Sequence, residues 1–332
     1  MTAPLVHGGG ISEAAARFGG APEDWLDLST GINPCPVTIP EIDPRVWHRL
    51  PDKHLEQAAR VAASRYYRTG DLPPLPVPGT QAAIQLLPPL AGSAGRAAIL
   101  APTYGEYARV LQAGGMVVDL VETVDDLAAA PFAVIVNPNN PTGRHFQPEQ
   151  ILAVAEAMAA RGGLLVVDEA FGDLYPAASV APHVADHDNL VVFRSFGKFF
   201  GLAGLRLGFV IATAPVLESL RERLGPWAVS GPALALSAKL MAADTGAVAK
   251  RIWERKAGLD AVLAGAGLKV IGGTGLFALV EHERAQALHE DLCGARILTR
   301  KFDYNPHWLR LGPAADEHGD LRLAEALKGA GV

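Results

Sequence analysis

The chain has 332 residues, 49% of them apolar and 19% charged, with a formal net charge of −6. That length suggests two domains, or one large domain carrying a smaller one, and the acidic balance without any long Lys/Arg run argues against a nucleic-acid partner. Two distant cysteines, Cys35 and Cys293, are too few for a disulfide framework or a zinc knuckle, so no metal is expected. Residues 1–10 lack the basic stretch and apolar run of a secretory signal, and no apolar stretch approaches the roughly 18–20 residues of a membrane span. A cytoplasmic setting with no membrane partner is expected.

Residues 8–40 are rich in Gly and Pro and read as an irregular N-terminal arm. Beyond it, short apolar runs alternate with Ala-rich stretches. Strands are predicted at 75–77, 97–100, 117–121, 132–136, 164–167, 190–194 and 207–211, and helices near 81–91, 106–114 and 148–161. Runs with little polar alternation, separated by helices, predict an α/β fold whose mostly parallel central sheet carries helices on both faces. From Pro226 a long helical stretch passes Arg251 and Lys256; a strand at 277–280, a helix at 285–292 and a segment with Arg300 and Arg310 follow. The expected division is an arm over 1–40 joining the small domain, a large domain over 41–225 and a smaller α+β domain over 226–332.

In such sheets ligands bind beyond the carboxyl ends of the strands, so the residues after each run matter most. Val77 is followed by Pro78-Gly79-Thr80-Gln81 and a helix; a Gly at a helix start bares N–H groups that suit a phosphate, although an ordinary cap looks the same. Tyr104, after Ala101-Pro102-Thr103, can cover a flat ring or pack in the core. Asn137-Pro138-Asn139-Asn140-Pro141-Thr142-Gly143 is a rigid turn with directional donors and acceptors. Asp168 closes an apolar run ahead of Glu169-Ala170-Phe171, and a buried carboxylate needs a cationic partner, either a protonated ring nitrogen or an arginine. Ser195-Phe196-Gly197-Lys198 is followed by Gly204-Leu205-Arg206-Leu207-Gly208. A lysine in such a Gly/aromatic setting can attack an aldehyde, and Ser195 and Arg206 can share one phosphate with Gly79, Thr80 and Gln81. Each residue alone has a bland explanation as cap, packing or surface charge; five motifs in this order point to one site.

Together these motifs resemble the aspartate-aminotransferase superfamily of fold type I, over nearly the whole chain, and the 137–143 turn resembles its histidinol-phosphate aminotransferase branch. The resemblance implies pyridoxal 5'-phosphate as cofactor. It implies that Lys198 bonds to the aldehyde and moves protons, and that Asp168 pairs with the ring nitrogen so that the ring accepts electrons. It further implies Asn140 on the ring hydroxyl, Tyr104 stacked on the ring, and Gly79, Thr80, Gln81, Ser195 and Arg206 on the cofactor phosphate. Arg310 would clamp a substrate carboxylate through a bidentate pair. Two positions depart from the pattern. Phe171 stands where many relatives have a tyrosine beside the ring hydroxyl, leaving Asn140 to act alone. Leu50-Pro51-Asp52 stands where many have Tyr-Pro-Asp, whose tyrosine reaches the neighbouring subunit's cofactor. A homodimer is still implied.

A narrower likeness bears on the reaction. His7-Gly8-Gly9, the 28–34 segment around Ile32 and Asn33, Asp168-Glu169-Ala170-Phe171, and Leu298-Thr299-Arg300 ahead of Arg310 are similar to the L-threonine-O-3-phosphate decarboxylases of cobalamin biosynthesis. That likeness implies loss of carbon dioxide from L-threonine O-3-phosphate to give (R)-1-aminopropan-2-yl phosphate. A substrate with both a carboxylate and a phosphate needs more than one cation, and His7, Arg300 and Arg310, with Gly8, Ile32, Asn33 and Asn140, are the candidate contacts. His7 read alone is a terminal residue and Arg300 a surface charge. The bond that breaks is the one perpendicular to the ring, so the same residues serve transamination. A histidinol-phosphate aminotransferase is the alternative, with the His-Gly-Gly start and Phe171 against it. A regulator with a degenerate aminotransferase domain would need a DNA-binding module that the arm before Trp25 is too short to hold.

Overall fold

The computed structural model describes residues 7–332, so the first six residues of the expected arm lie outside it. The chain forms two units. One comprises Val37–Asn140 and His145–Gly246; the other comprises the chain up to Pro36, Pro141–Arg144 and Ala247–Val332.

The first unit is built on seven strands: β1 (Leu75–Val77), β2 (Arg96–Leu100), β3 (Val117–Val121), β4 (Phe132–Val136), β5 (Leu164–Asp168), β6 (Leu190–Ser195) and β7 (Gly208–Ile211). Their order is β1-β7-β6-β5-β4-β2-β3. The sheet is mostly parallel, as the runs predicted; β7 alone, among the described strands of this sheet, runs against its neighbours β1 and β6. Every residue of β4 and β6 is buried, which is why their sequences show no alternation. Helices Glu106–Ala113 and Pro148–Ala159 lie where expected. The stretch expected as one helix over 81–91 is two, Thr80–Gln85 and Leu87–Ala91, because Pro88 and Pro89 have no N–H to continue the ladder. Helix Lys53–Tyr67, for which no expectation was drawn, starts at Asp52, whose Oδ1 accepts from the Leu55 N–H at 2.9 Å. It packs against helix Gly231–Ala242.

The second unit holds an antiparallel sheet of β8 (Lys269–Thr274), β9 (Phe277–Glu281), β10 (Arg300–Phe302) and β11 (Asn305–Leu311), in the order β10-β11-β9-β8. Helices Ala285–Gly294 and Glu317–Gly329 join its core around Leu259, Leu292, Leu309 and Leu323. The N-terminal arm is less irregular than expected, since Ile11–Phe18 is helical. Leu26–Asp27 pairs in parallel with Ile297–Leu298 and ties the arm to this unit. No expectation was drawn for strand β8, whose Gly272-Gly273 has the composition of a turn. The glycines serve a close approach instead: a Cβ on Gly272 would lie 2.0 Å from Thr142 O, and one on Gly143, at φ 69°, would lie 2.0 Å from Gly273 O. Among the described residues, no helix is long and apolar enough to cross a membrane.

Candidate active site

Strand register gathers the first cluster. Ser195 at the end of β6 pairs with Gly208 at the start of β7, and Gly208 pairs with Val77 at the end of β1. Gly79 and Thr80, just after β1, therefore share one sheet end with Ser195 and with Arg206, just before β7. A Cβ on Gly79 would lie 2.7 Å from Arg206 Nη2, and one on Gly208 would lie 2.9 Å from the Thr80 nitrogen. The guanidinium thus lies over a helix start that only glycines leave open. Arg206 has φ 51°, a left-handed conformation costing of order 1 kcal/mol or more in a non-glycine residue, and its Nη1 donates to Ala203 O at 3.1 Å. The Gln81 side chain is engaged differently from the phosphate role expected of it: Nε2 donates to Glu106 Oε2 at 2.7 Å, and Oε1 accepts from the Tyr104 hydroxyl at 3.2 Å. The Gln81 N–H is left at the helix start, where N–H groups lack intrahelical partners.

Asp168 ends β5, between Val136 of β4 and Phe193 of β6, and is buried. Its Oδ2 accepts from the Tyr107 hydroxyl at 2.7 Å and its Oδ1 from the Ala170 N–H at 2.9 Å. Burial pushes the carboxyl above the usual carboxylate range, while Tyr107, the Ala170 N–H and the charge of Lys198 pull the other way. Lys198 is half-buried on the short helix Phe196–Phe199, with Nζ 5.8 Å from the centre of the Phe171 ring. Tyr107, in the first turn of helix Glu106–Ala113, was missed from the sequence; it lies three residues after Tyr104, which precedes the helix, and the two rings meet edge-on at 6.2 Å. The asparagine turn is anchored by its first members. The Asn137 N–H donates to Asp168 O at 2.8 Å, and Asn139 bonds Pro102 O at 2.8 Å and the Thr103 hydroxyl at 2.6 Å. Asn140, half-buried, follows them.

These groups fit pyridoxal phosphate. Thr80, Ser195 and Arg206 with the glycine-cleared helix start can take a dianion, Lys198 offers an amine, and Asp168 is a buried acid able to face a cationic nitrogen.

The second unit carries the remaining candidates. Arg300 of β10 stands directly opposite Arg310 of β11. Arg310 is buried, donates from Nη2 to Ser29 O at 2.7 Å, and is pushed down to about 10 by burial and by the neighbouring Arg300 charge. Like charges on facing strand positions repel, so the pair favours an anion. Arg300 is half-buried rather than on the open surface. Gly8 lies so close to this place that a Cβ would come 2.5 Å from Ser29 O, and the Gly9 N–H donates to Ser29 Oγ at 2.7 Å. Ser29 is itself held by Asp27 Oδ1, at 2.6 Å from its hydroxyl and 2.8 Å from its N–H. The structure thus brings Gly8 and Arg310 together at Ser29, with Arg300 on the strand position facing Arg310. Ile32 is half-buried, Asn33 is buried with Oδ1 accepting from the Cys35 N–H at 2.9 Å, and His7 is exposed.

Residues 23–327 match the family described as aminotransferase class I and II. The chain belongs to that family. Within its relatives, a threonine-phosphate decarboxylase of Sinorhizobium sp is 65% identical over 98% of both chains. A histidinol-phosphate aminotransferase of Cronobacter sakazakii is 30% identical over 76% of this chain and 73% of its own. The crystal structure of histidinol-phosphate aminotransferase from Sinorhizobium meliloti, in complex with pyridoxal-5'-phosphate, superposes with a TM-score of 0.84 over 98% of this chain and 95% of that one. At 21% identity that likeness shows the family fold: an α/β unit with a mostly parallel sheet, accompanied here by a small antiparallel one.

Proposed function

We propose that this chain is a pyridoxal-phosphate-dependent decarboxylase that converts L-threonine O-3-phosphate to (R)-1-aminopropan-2-yl phosphate, a step of cobalamin biosynthesis. The observation that carries the reading is the full-length 65% identity to a threonine-phosphate decarboxylase, against 30% over about three quarters of the chain for an aminotransferase. The Arg300–Arg310 pair supports it, because two facing guanidiniums suit a substrate bearing two anionic groups.

When bound, pyridoxal phosphate supplies an electron-poor ring that accepts the electron pair left at the substrate α-carbon. The chain's own residues do the rest. Thr80, Ser195, Arg206 and the N–H groups after Gly79 hold the cofactor phosphate; Tyr104 and Asn140 orient the ring beside Phe171. Asp168 keeps the proton on the ring nitrogen. Lys198 holds the aldehyde at rest and returns a proton to the α-carbon. Arg310 and Arg300 hold the substrate's carboxylate and phosphate, and Gly8, Ile32 and Asn33 with His7 complete that contact. The working form is a homodimer, a reading supported by the exposed Trp47, Leu50 and Trp227 of the first unit, and its setting is the cytoplasm.

The test is direct. Purified protein given L-threonine O-3-phosphate should release carbon dioxide and aminopropanol phosphate, and given histidinol phosphate with 2-oxoglutarate should make no glutamate. The reverse outcome makes it an aminotransferase. Lys198→Ala should abolish both turnover and the bound cofactor's visible absorbance band; borohydride trapping of the cofactor on another lysine would overturn the assignment.

A further inference from the structure

Behind Asp168 lies a buried ion cluster with no place in the roles above. Glu169 continues the ladder of β5, its N–H donating to Phe193 O at 2.8 Å, so its side chain leaves the sheet on the face opposite Asp168. There Arg194 of β6 donates from Nη1 to Glu169 Oε2 at 2.6 Å, and its Nη2 lies 3.2 Å from Asp173 Oδ1. All three side chains are almost wholly excluded from water. Ser179 Oγ and the Val180 N–H complete the bonding of Glu169 at 2.5 and 2.7 Å. The guanidinium sits 4.5 Å from the centre of the Tyr67 ring. A Cβ on Gly172 would come 2.6 Å from Arg194 Nη1, so the chain leaves room for this guanidinium by having no side chain at 172.

Burying three ions costs several kcal/mol each before their mutual attraction is counted, and apolar side chains of similar volume commonly fill such a space at no loss of stability. The cluster also fails to neutralise itself. Two carboxylates face one guanidinium, which leaves a formal charge of −1 in a medium that screens poorly. That residual charge adjoins Asp168. The other groups facing the Asp168 carboxylate are Tyr107 with Tyr104 behind it, the Ala170 N–H and Lys198. These favour its ionised form, and Glu169 alone among the groups acting on it by charge opposes them.

Resting on the reading that Asp168 faces the ring nitrogen of pyridoxal phosphate, we propose that the residual negative charge of Glu169–Arg194–Asp173 helps keep that nitrogen protonated, with Arg194 as the positioning residue that fixes the two carboxylates. The cluster acts by its field, raising the proton affinity that Asp168 and the ring nitrogen share, and touches neither cofactor nor substrate.

The test uses the cofactor-loaded protein with pyridoxal phosphate labelled with nitrogen-15 in its ring, whose chemical shift reports ring protonation across a pH titration. Glu169→Gln removes one buried negative charge at constant size. The midpoint of ring deprotonation should fall by about one pH unit, the scale of one charge at an effective dielectric constant of about 20. Asp173→Asn should shift it the same way and serves where the first variant does not fold. Arg194→Lys, which keeps the charge, should leave the midpoint near that of the parent. A merely structural cluster would change urea unfolding and leave the midpoint alone, and an unmoved midpoint in loaded Glu169→Gln or Asp173→Asn overturns the inference. No substrate is involved, so failure to turn over threonine phosphate would sink only the proposed reaction. Failure to take up the cofactor would sink the reading of Asp168 and this inference with it.

Discussion

Tyr107→Phe removes one buried oxygen, and that oxygen is the donor 2.7 Å from Asp168 Oδ2. A hydrogen bond to a charged acceptor nets about 1.5–3 kcal/mol, and one to a neutral acceptor about 0.5–1.5. The cost should therefore depend on whether Asp168 is ionised. Burial holds this carboxyl above its ordinary value of 3.8, so the folded chain keeps a proton that the unfolded chain releases. Its contribution to stability is full below 3.8 and is lost as pH rises through the folded value. The Tyr107 hydroxyl is the strongest of the groups that pull the value back down, so phenylalanine shifts the loss to higher pH. In urea unfolding of the cofactor-free protein, the variant should be less stable than the parent by about 2 kcal/mol at neutral pH, the gap narrowing to about 1 kcal/mol in acid. With the carboxylate held less well, the dissociation constant for pyridoxal phosphate should rise about tenfold, which corresponds to about 1.4 kcal/mol. A penalty equal at every pH would show that the hydroxyl merely fills space, and an unchanged dissociation constant would show that Asp168 has no part in holding the cofactor.

Three further outcomes follow from the second unit. Arg300→Met removes one of two facing guanidiniums: the anion-free protein should keep its stability or gain about 0.2–1 kcal/mol, while KM for threonine phosphate rises at least tenfold, and a clear loss of anion-free stability would assign Arg300 a structural role. Gly143→Ala, at φ 69° and against Gly273 O, should cost about 2–4 kcal/mol in urea unfolding from left-handed strain and the displaced Thr142–Gly273 bond; a cost below about 1 kcal/mol would mean that the segment moves aside freely. His289 is buried against Thr299, and burial with the Lys301 charge lowers it to about 4. Its contribution should be full above 6.5 and drain away as pH falls toward 4, by at most about 3 kcal/mol, and a slope over that window unchanged in His289→Gln would refute this.

The sheet and the meeting of Gly79, Ser195 and Arg206 at one of its ends were readable because both rest on local pattern. Apolar runs such as 132–136 and 190–194 lie in fully buried strands, and a parallel sheet puts the residues after such runs on one edge. Gly79, Ser195 and Arg206 meet for that reason, through a register that ties Val77, Gly208 and Ser195 side by side. What the sequence concealed depends on contacts between distant segments. Leu26–Asp27 pairs with Ile297–Leu298, and that pairing, with the Gly312 N–H donating to Leu28 O at 2.7 Å, puts Ser29 at Arg310 and Gly8. Nothing in the spacing of residues 29 and 310 announces it.

Glycine is uninformative for a related reason. Gly272-Gly273 has the composition of a turn, and its role as a slot in β8 for the 142–143 backbone shows only when both segments are in view. Tyr107 and Arg194 lie between these extremes. Each sat on a correctly expected element, within three residues of one already singled out, yet an interior tyrosine or a strand arginine names no partner. Their partners are carboxylates at the end of β5, one on each face of the sheet, at the successive positions Asp168 and Glu169. The alternation of a strand thus divides two adjacent acids between two tasks. One faces a hydroxyl and an amine, where chemistry is possible; the other is locked to a guanidinium, where its charge can act only at a distance.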